Sequence, residues 1–366
     1  MTALIATLWS IVAVGLTFGL VIFLHEFGHF IVARKLGVRV EKFAFGFGPE
    51  LLGVTDSTGT RFSICAIPLG GFVKPAGEDP SSGVDPKPDE YFGQSWNRRL
   101  AIVAAGPAMN YVLAFTLFTG VVWLKGMPVA SKEPVIGNLM VGFPADKAGI
   151  ELDDRVLLFD GRALAGWEDL AQSIHRSAGK EIALTIDRKG ERIVVKITPK
   201  PDETGTRGVI GIMPKADYEP VSFAAAAGEG VRQCWAQSKA TVTTIAGKIW
   251  KRERPDLAGP VGIVQMVHRA AHSDWADFVF LIGFISVAIG FFNILPVPLL
   301  DGGHAVFYLW EGLVGRRPKP EVIEKVNGVG IAFLLSLLVF ATYNDVLRIR
   351  NERAIQKNKP AVEKAK

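Results

Sequence analysis

The chain is poor in cysteine and, at its beginning, in charge. Two of its 366 residues are cysteines, Cys65 and Cys234, which excludes a disulfide framework. No Asp, Glu, Lys or Arg precedes Glu26, and an apolar run of that length can cross a bilayer. The run lacks the basic start of a signal peptide and is too long for one, so we expect an uncleaved span.

Composition places the chain among membrane proteins. Hydrophobic residues make up 49% of it, and the mean hydropathy of +0.27 is high for a soluble protein. The formal net charge of +5 is mild, and no nucleic-acid motif accompanies it, so we expect the lipid bilayer and no nucleic acid as partner. The basic residues are interpreted as topology signals.

The motif His25-Glu26-Phe27-Gly28-His29 ends the first apolar run. Its histidines are four residues apart, so on a helix they share one face and both imidazoles can reach one Zn²⁺. Glu26 then lies beside the metal as a candidate catalytic base. Three ionisable groups at the end of a membrane span are costly unless they pair or bind metal, which favours a functional site.

Four segments are long enough to span a bilayer, which predicts an α-helical polytopic membrane protein. They run from the N-terminus to His29, from Leu100 to Leu124, from Phe278 to Leu300 and from Val326 to Asn344. Pro296 and Pro298 interrupt the third, so we expect its end to be unwound and to line a cavity.

The loops that follow spans one and three carry nine and four lysine or arginine residues, respectively. The positive-inside rule puts these loops in the cytoplasm and puts the termini and the long insert outside, with the two cysteines on opposite sides. The basic tail, 348–366, disagrees with this orientation. Because spans one and three run in the same direction, His25, His29 and Asp301 are expected at one depth near the cytoplasmic face.

The insert between spans two and three begins with a β-rich segment. Its expected elements are strands at 134–141 and 154–161, a helical turn at 142–149, a helix at 167–177 and a hairpin at 181–197. This order resembles a circularly permuted bacterial PDZ domain. Gly208, Val209, Ile210 and Gly211 would bind a peptide carboxylate through backbone N–H groups. A spacer or steric gate without peptide is the alternative.

The predicted domain organisation has five parts. They are the membrane domain's first part (1–125), the PDZ domain (126–213), a connecting helical region (214–276), the membrane domain's second part (277–347) and a basic tail (348–366). Within the connecting region, 222–249 is compatible with a helix that lies on the membrane surface or one that packs normally.

A catalytic zinc needs a third protein ligand and an open position for water. Asp301 is the best candidate, because it ends an apolar span and is followed by two glycines that let backbone approach closely. Alone, it could equally cap a helix, and His304 is a rival ligand. Asn293, inside the span, could orient substrate or an oxyanion, or bridge helices.

The motifs H-E-x-x-H and N-x-x-P-x-P-x-L-D-G together resemble the site-2 protease family of intramembrane zinc metalloproteases. Gly106-Pro107-Ala108-Met109-Asn110, the permuted PDZ order and Pro260-Val261-Gly262-Ile263 resemble its bacterial branch, which includes the regulator-of-sigma-E protease. That protease has two tandem PDZ domains, whereas this sequence shows one.

The resemblance implies that His25, His29 and Asp301 bind zinc and that Glu26 is the catalytic base. It also implies an enzyme of the bacterial inner membrane. Its substrates would be single-span membrane proteins, such as anti-sigma factors, that an earlier cut has shortened in regulated signalling.

The loop 41–77 fits the same family. Phe43, Phe45 and Phe47 alternate with small residues before Gly48-Pro49, and 61–67 alternates less cleanly before Pro68, so the two segments predict a hairpin. The resemblance implies that this hairpin is re-entrant and lies near the active site, where an exposed strand edge could hold an unwound substrate helix by main-chain hydrogen bonds. Gly46 and Gly48 are therefore candidate substrate-binding residues. A cytoplasmic hairpin that only packs against the spans is the alternative.

Two other function classes compete with the protease. A membrane scaffold would use the PDZ domain to recruit exported proteins and would hold a closed, four-ligand structural metal, for example with His304 beside Asp301. A transporter would use polar groups at mid-span as an ion path. The sequence shows no internal repeat, which disfavours the transporter.

Overall fold

The computed structural model describes residues 2–78, 86–202, 205–251 and 259–357. One compact unit contains Met1–Leu124 and Val221–Leu347, and another is built on Lys125–Pro220. The helices are α1 (Thr2–Lys35), α2 (Trp96–Lys125), α3 (Pro144–Lys147), α4 (Trp167–His175), α5 (Phe223–Lys251), α6 (Pro260–Ala271), α7 (Trp275–Ile294), α8 (Asp301–Val314) and α9 (Pro320–Lys357). The strands are β1 (Val40–Thr55), β2 (Arg61–Pro75), β3 (Met127–Ala130), β4 (Ile136–Leu139), β5 (Arg155–Phe159), β6 (Arg162–Ala163), β7 (Ile182–Arg188), β8 (Glu191–Ile197), β9 (Lys200–Pro201), β10 (Gly208–Val209), β11 (Ile212–Pro214) and β12 (Ala216–Glu219).

Among the described residues, four helices of the first unit are long and apolar enough to cross a membrane, namely α1, α2, α7 and α9. This confirms the four predicted spans, although their ends differ. Helix α1 continues beyond His29 to Lys35, and α9 continues to Lys357 through the first part of the predicted basic tail. The rest of that tail, 358–366, lies outside the described residues.

The third span is shorter than predicted, because α7 ends at Ile294. Residues 295–300 are not helical, in agreement with Pro296 and Pro298, since proline lacks the N–H that a helix interior needs. Leu299 has a left-handed φ of 73°, a conformation that costs free energy for a branched side chain. The chain turns there, and α8 starts at Asp301.

Helices α1 and α2 cross closely because glycines lie at the crossing. A Cβ atom at Gly28 would collide with the carbonyl group of Ala105 on α2. Beside this crossing, an aromatic cluster that includes Phe30, Phe43 and Tyr308 joins α1, β1 and α8. The close crossing brings the H-E-x-x-H face of α1 against the middle of α2.

Strands β1 and β2 form the hairpin that the sequence predicts in the loop after α1. Both strands bend, so that Phe43 pairs with Val73 and also with Phe62. The bend of β2 lies against α1, where Pro68 is the neighbour that a Cβ atom at Gly15 or Gly19 would meet. The hairpin therefore runs back along α1 instead of extending away from it.

The turn between β1 and β2 is fixed to the end of α1. Arg34 Nη1 donates to Asp56 Oδ2 at 2.8 Å. The Thr58 hydroxyl, the Thr60 N–H and the Arg34 guanidinium lower the pKa of Asp56 to about 2. These bonds hold the turn beside Arg34 while the bend lies near Gly15.

Helix α5 packs along α2 and α7 with one face. The Ser238 hydroxyl is 2.9 Å from the Tyr111 hydroxyl, and Gln237 Nε2 donates to the Phe284 carbonyl at 2.6 Å. Cys234 is buried in a cluster with Ala114, Phe118 and Val287. The sequence left two possibilities for this helix, and these contacts support packing against the spans.

The second unit has the predicted strands, helical turn, helix and hairpin. Strands β6, β5, β7 and β8 form a sheet in that order, and β4 pairs with β11, β9 with β10, and β3 with β12. Its core is aliphatic, with Ile136, Leu170, Leu184 and Ile210 fully or almost fully buried. The pairing of β3 with β12 places Met127 opposite Glu219, so the unit begins and ends at one place.

Candidate metal centre

Two histidines form one side of the centre. His25 and His29 are buried on α1, one turn apart, and their Nε2 atoms are 3.3 Å apart. Two neutral ring nitrogens that face each other at this distance need a shared proton or a cation between them. The helical spacing alone produces this pair, because residues i and i+4 lie on one face.

Asp301 forms the other side. Its Oδ2 atom is 3.1 Å from His25 Nε2 and 3.5 Å from His29 Nε2. Asp301 is the first residue of α8, and the turn at 295–300 directs its side chain back towards α1. The two following glycines are required by this turn, since a Cβ atom at Gly302 or Gly303 would collide with the carbonyl oxygen of Leu295 or Val297.

Arg99 fixes the position of α8, which carries Asp301. This arginine is 1% exposed, and its Nη2 atom donates to both carboxylate oxygens of Glu311 at 2.6 Å. Its guanidinium also lies over the ring of Tyr308, 4.7 Å from the centroid. A buried ion pair of this kind is expensive to break, at about 3–5 kcal/mol when one partner is removed, so α8 is held firmly against α2.

Helix α2 closes the third side of the centre. A Cβ atom at Gly106 would collide with the His29 ring and come close to the His25 ring, so only glycine allows this approach. His29 Nδ1 is 2.8 Å from the carbonyl oxygen of Ile102. A carbonyl accepts only, so Nδ1 carries the proton and the Nε2 lone pair faces His25 and Asp301.

Glu26 lies beside this group and is held by the hairpin. Its Oε2 atom accepts a hydrogen bond from the backbone N–H of Val73 on β2 at 3.2 Å. Glu26 lines the same cavity as the two histidines and Asp301. A carboxylate in this position can exchange protons with a molecule bound next to the metal.

The three side chains suit a zinc ion. The ligand atoms of His25, His29 and Asp301 lie within 4.8 Å of one another. Asp301 Oδ2 is buried and, within the described part of the chain, has no well-aligned hydrogen-bond donor. Two imidazoles and one carboxylate are a donor set that zinc accepts, and three protein ligands leave a coordination position open, as in catalytic sites.

A cavity of about 920 Å³ opens beside the centre. Its lining includes Glu26, Val73, Arg99, His304 and Tyr308. This volume is in the upper range for ligand sites in proteins.

The structure places the other predicted residues away from the three converging side chains. His304 lines the cavity one turn after Asp301 but does not belong to the group of converging ligand atoms. Asn293 is partly buried in the last turn of α7 and is not among the described residues that line the cavity. Gly46 and Gly48, with φ of 87° and 86°, lie at the bend of β1 and outside that lining.

The predicted peptide-binding residues belong to the second unit. Gly208 and Val209 form β10, and buried Ile210 leads to Gly211, whose φ is 81°. The backbone N–H of Met140 donates to the Gly211 carbonyl at 2.8 Å, which joins this turn to the start of the unit.

Sequence reasoning gave no role to Asn110, which the structure places against His25. The residue is fully buried on α2, and its Nδ2 atom is 3.2 Å from His25 Nδ1. An amide inside an apolar span is a signal that could have identified it, since such a group needs a partner.

Comparison with known proteins identifies the family to which the chain belongs. A model of peptidase family M50 matches residues 13–337, which is most of the chain. The chain belongs to peptidase family M50, the site-2 protease family. It is therefore a multi-pass membrane protein and a zinc metalloprotease, and the resemblance seen in the sequence is confirmed.

Relatives similar to this member of family M50 carry zinc-metalloprotease names. A protein of Agrobacterium fabrum is 34% identical over 355 residues, which cover 90% of this chain and 94% of the relative. A protein of Clostridium acetobutylicum is 33% identical over 93% of this chain and 98% of its own. One of Rickettsia conorii is 32% identical over 92% of this chain and 98% of its own.

One solved structure is similar to a part of the chain. The PDZ domain of an SdrC-like protein from Listeria monocytogenes is 20% identical, covers 24% of this chain and 90% of its own, and has a TM-score of 0.20.

Proposed function

We propose that this M50 protein is an intramembrane endopeptidase in which His25, His29 and Asp301 hold the zinc and Glu26 is the catalytic base. One observation carries the proposal. Three ligand atoms converge, and Glu26 lines the same cavity, in a unit whose helices are apolar enough to cross a membrane.

The chemistry divides between the metal and the protein. When bound, zinc polarises the scissile carbonyl and makes an attacking water more acidic. The Glu26 carboxylate removes a proton from that water and later delivers it to the leaving amine.

We propose single-span membrane proteins, shortened by an earlier cut, as the substrates, in the manner of anti-sigma factors. A helical peptide bond is shielded and must be extended before it is attacked. The edge of β2 at Val73 is suited to this task, because its N–H already points at Glu26 and an extended chain can add to such an edge. The contact of Pro68 with the middle of α1 supports insertion of the hairpin into the membrane.

The experiment that tests this function is cleavage of a purified single-span substrate by the protein in liposomes. Mass spectrometry of the products identifies the cleaved bond. Wild-type protein with zinc is expected to cut within or next to the transmembrane segment, and the Glu26→Gln protein is expected not to cut. Cleavage confined to the soluble parts of the substrate would contradict the proposal.

We propose further that the metal centre lies near the cytoplasmic face of a bacterial inner membrane and that the second unit lies outside. The basic residues of the loops after spans one and three support this orientation. His25 and Asp301 lie near the ends of these two spans and in contact, which fits a shared depth.

Labelling with a membrane-impermeant thiol reagent in intact cells tests the orientation. Lys180 in the second unit and Lys319 between α8 and α9 are both exposed, so Lys180→Cys and Lys319→Cys form a matched pair. We expect the reagent to label the first and not the second. Cys65 and Cys234 are buried and give little background. Labelling at position 319 alone would show that the protein has the opposite orientation.

We propose that the second unit is a circularly permuted PDZ domain that controls entry of substrates. The order of its strands and the turn Gly208–Gly211 beside β4 support this fold. Outside the membrane it cannot hold the scissile bond, so it acts on the outer stub of a substrate, either as a steric filter or as a binding site for the carboxylate.

Deletion of the domain separates these two roles. Ala130 and Ala216 are paired, so replacing 131–215 by Asn-Gly closes β3 and β12 into a hairpin. For a filter, we expect the deletion protein to cut substrates with large outer domains and to cut short ones as before. For a binding site, cleavage of short substrates should slow instead. Unchanged cleavage of both would reject both roles.

A further inference from the structure

Asn110 is a polar side chain in the interior of the membrane unit. It is fully buried on α2, within a stretch that is otherwise apolar, and its backbone carbonyl accepts a hydrogen bond from Ser286 on α7 at 2.9 Å. Polar groups within membrane spans are costly and need a partner. The side chain has one such partner, since its amide nitrogen lies 3.2 Å from His25 Nδ1.

The orientation of this amide decides which nitrogen of His25 is protonated. If Asn110 Nδ2 donates to His25, then Nδ1 is the acceptor and Nε2 carries the proton. That proton would point at His29 and Asp301, so His25 could not bind a metal. If the amide is rotated by half a turn, Oδ1 accepts from Nδ1–H and Nε2 offers its lone pair. The two orientations have the same shape, and the hydrogen-bond network must choose between them.

Two observations favour the rotated amide. Asn110 Oδ1 is buried and, in the part of the chain that is described, has no hydrogen-bond partner. His29 already has the arrangement that rotation of the Asn110 amide would give to His25. Its Nδ1 faces an acceptor, the carbonyl oxygen of Ile102, at 2.8 Å. Both partners belong to α2, so one helix would orient both imidazoles towards Asp301.

We infer that Asn110 is a positioning residue, which accepts a hydrogen bond from His25 Nδ1–H and so fixes the imidazole tautomer and ring plane that bind zinc. The inference rests on the proposed role of His25 as a ligand. Partners of this kind raise the basicity of the ligating nitrogen and restrict its rotation. Asn110 acts through His25 and is not among the described residues that line the cavity.

Zinc affinity, measured by competition with a chromogenic chelator, tests the inference without reference to activity. Asn110→Leu has the same branched shape, somewhat more bulk and no acceptor, and we expect zinc affinity to fall about 10–100-fold. Asn110→Asp keeps an acceptor towards Nδ1–H and should bind zinc within a few-fold of wild type. The control is Thr119→Val on the same helix, where a buried hydroxyl without a described partner is removed away from the metal. It should leave the affinity unchanged.

The outcomes separate this inference from the proposed metal site. If Asn110→Leu and wild type bind zinc equally while Asp301→Ala binds it weakly, the positioning role is wrong and the ligand assignment stands. If Asp301→Ala also binds like wild type, the ligand assignment itself fails. Should Asn110→Leu not fold, Asn110→Ala removes the acceptor without adding bulk, and wild-type affinity in that protein overturns the inference equally.

Discussion

Glu26→Gln is expected to keep zinc at the wild-type level and to lose nearly all cleavage. Glutamine has the same shape as glutamate, and its carbonyl oxygen can still accept the hydrogen bond from the Val73 N–H. It cannot take a proton from water at neutral pH. General-base catalysis typically contributes about 10²–10⁴-fold to a rate, so we expect a loss of at least that size.

The measurement combines zinc content by elemental analysis with the rate of product formation from a single-span substrate. Glu321→Gln is the matched control, because this exposed glutamate in the first turn of α9 is not among the cavity-lining residues. It should cleave like wild type. Two results would count against the assignment. If Glu26→Gln cleaved like wild type, Glu26 would not be the catalytic base. If Glu26→Gln lost zinc together with cleavage, Glu26 would have a structural role.

Local spacing accounts for the parts of the site that the sequence predicted. His25 and His29 meet because residues four apart share a helix face, and this needs no knowledge of the fold. The sequence made Asp301 a candidate ligand because it ends an apolar span and two glycines follow it. The elements of the second unit followed in the same way from alternating strands and turn residues.

Contacts between distant elements account for what the sequence did not predict. Helices α1 and α2 are apolar on every side, so hydrophobicity does not indicate which face of one meets the other. The approach of Asn110 to His25 depends on that crossing, so the sequence shows an amide within an apolar span but does not show which residue is its partner. The pairing of Phe43 with both Val73 and Phe62 could not be predicted from the sequence either, because it depends on how both strands bend.

An open catalytic site has Asp301 alone as its third protein ligand, whereas a closed structural site would have both Asp301 and His304. Asp301→Ala is expected to lower zinc affinity by more than the roughly 10–100-fold typical of an outer partner, because it removes a direct ligand. Cleavage should fall with zinc occupancy. The Oδ2 atom lost in this variant is the one that lies 3.1 Å from His25 and 3.5 Å from His29.

His304→Ala is the companion measurement, and we expect its zinc content to equal that of wild type. This histidine lines the cavity but does not converge with the other ligand atoms. Chelator competition on both variants, with folding checked by thermal unfolding in detergent, gives the comparison. Loss of zinc in His304→Ala and not in Asp301→Ala would make His304 the ligand. Loss in both would indicate four protein ligands, and a site closed in that way has no position for the water that Glu26 must activate. Retention in His304→Ala therefore supports the open coordination position on which peptide hydrolysis depends.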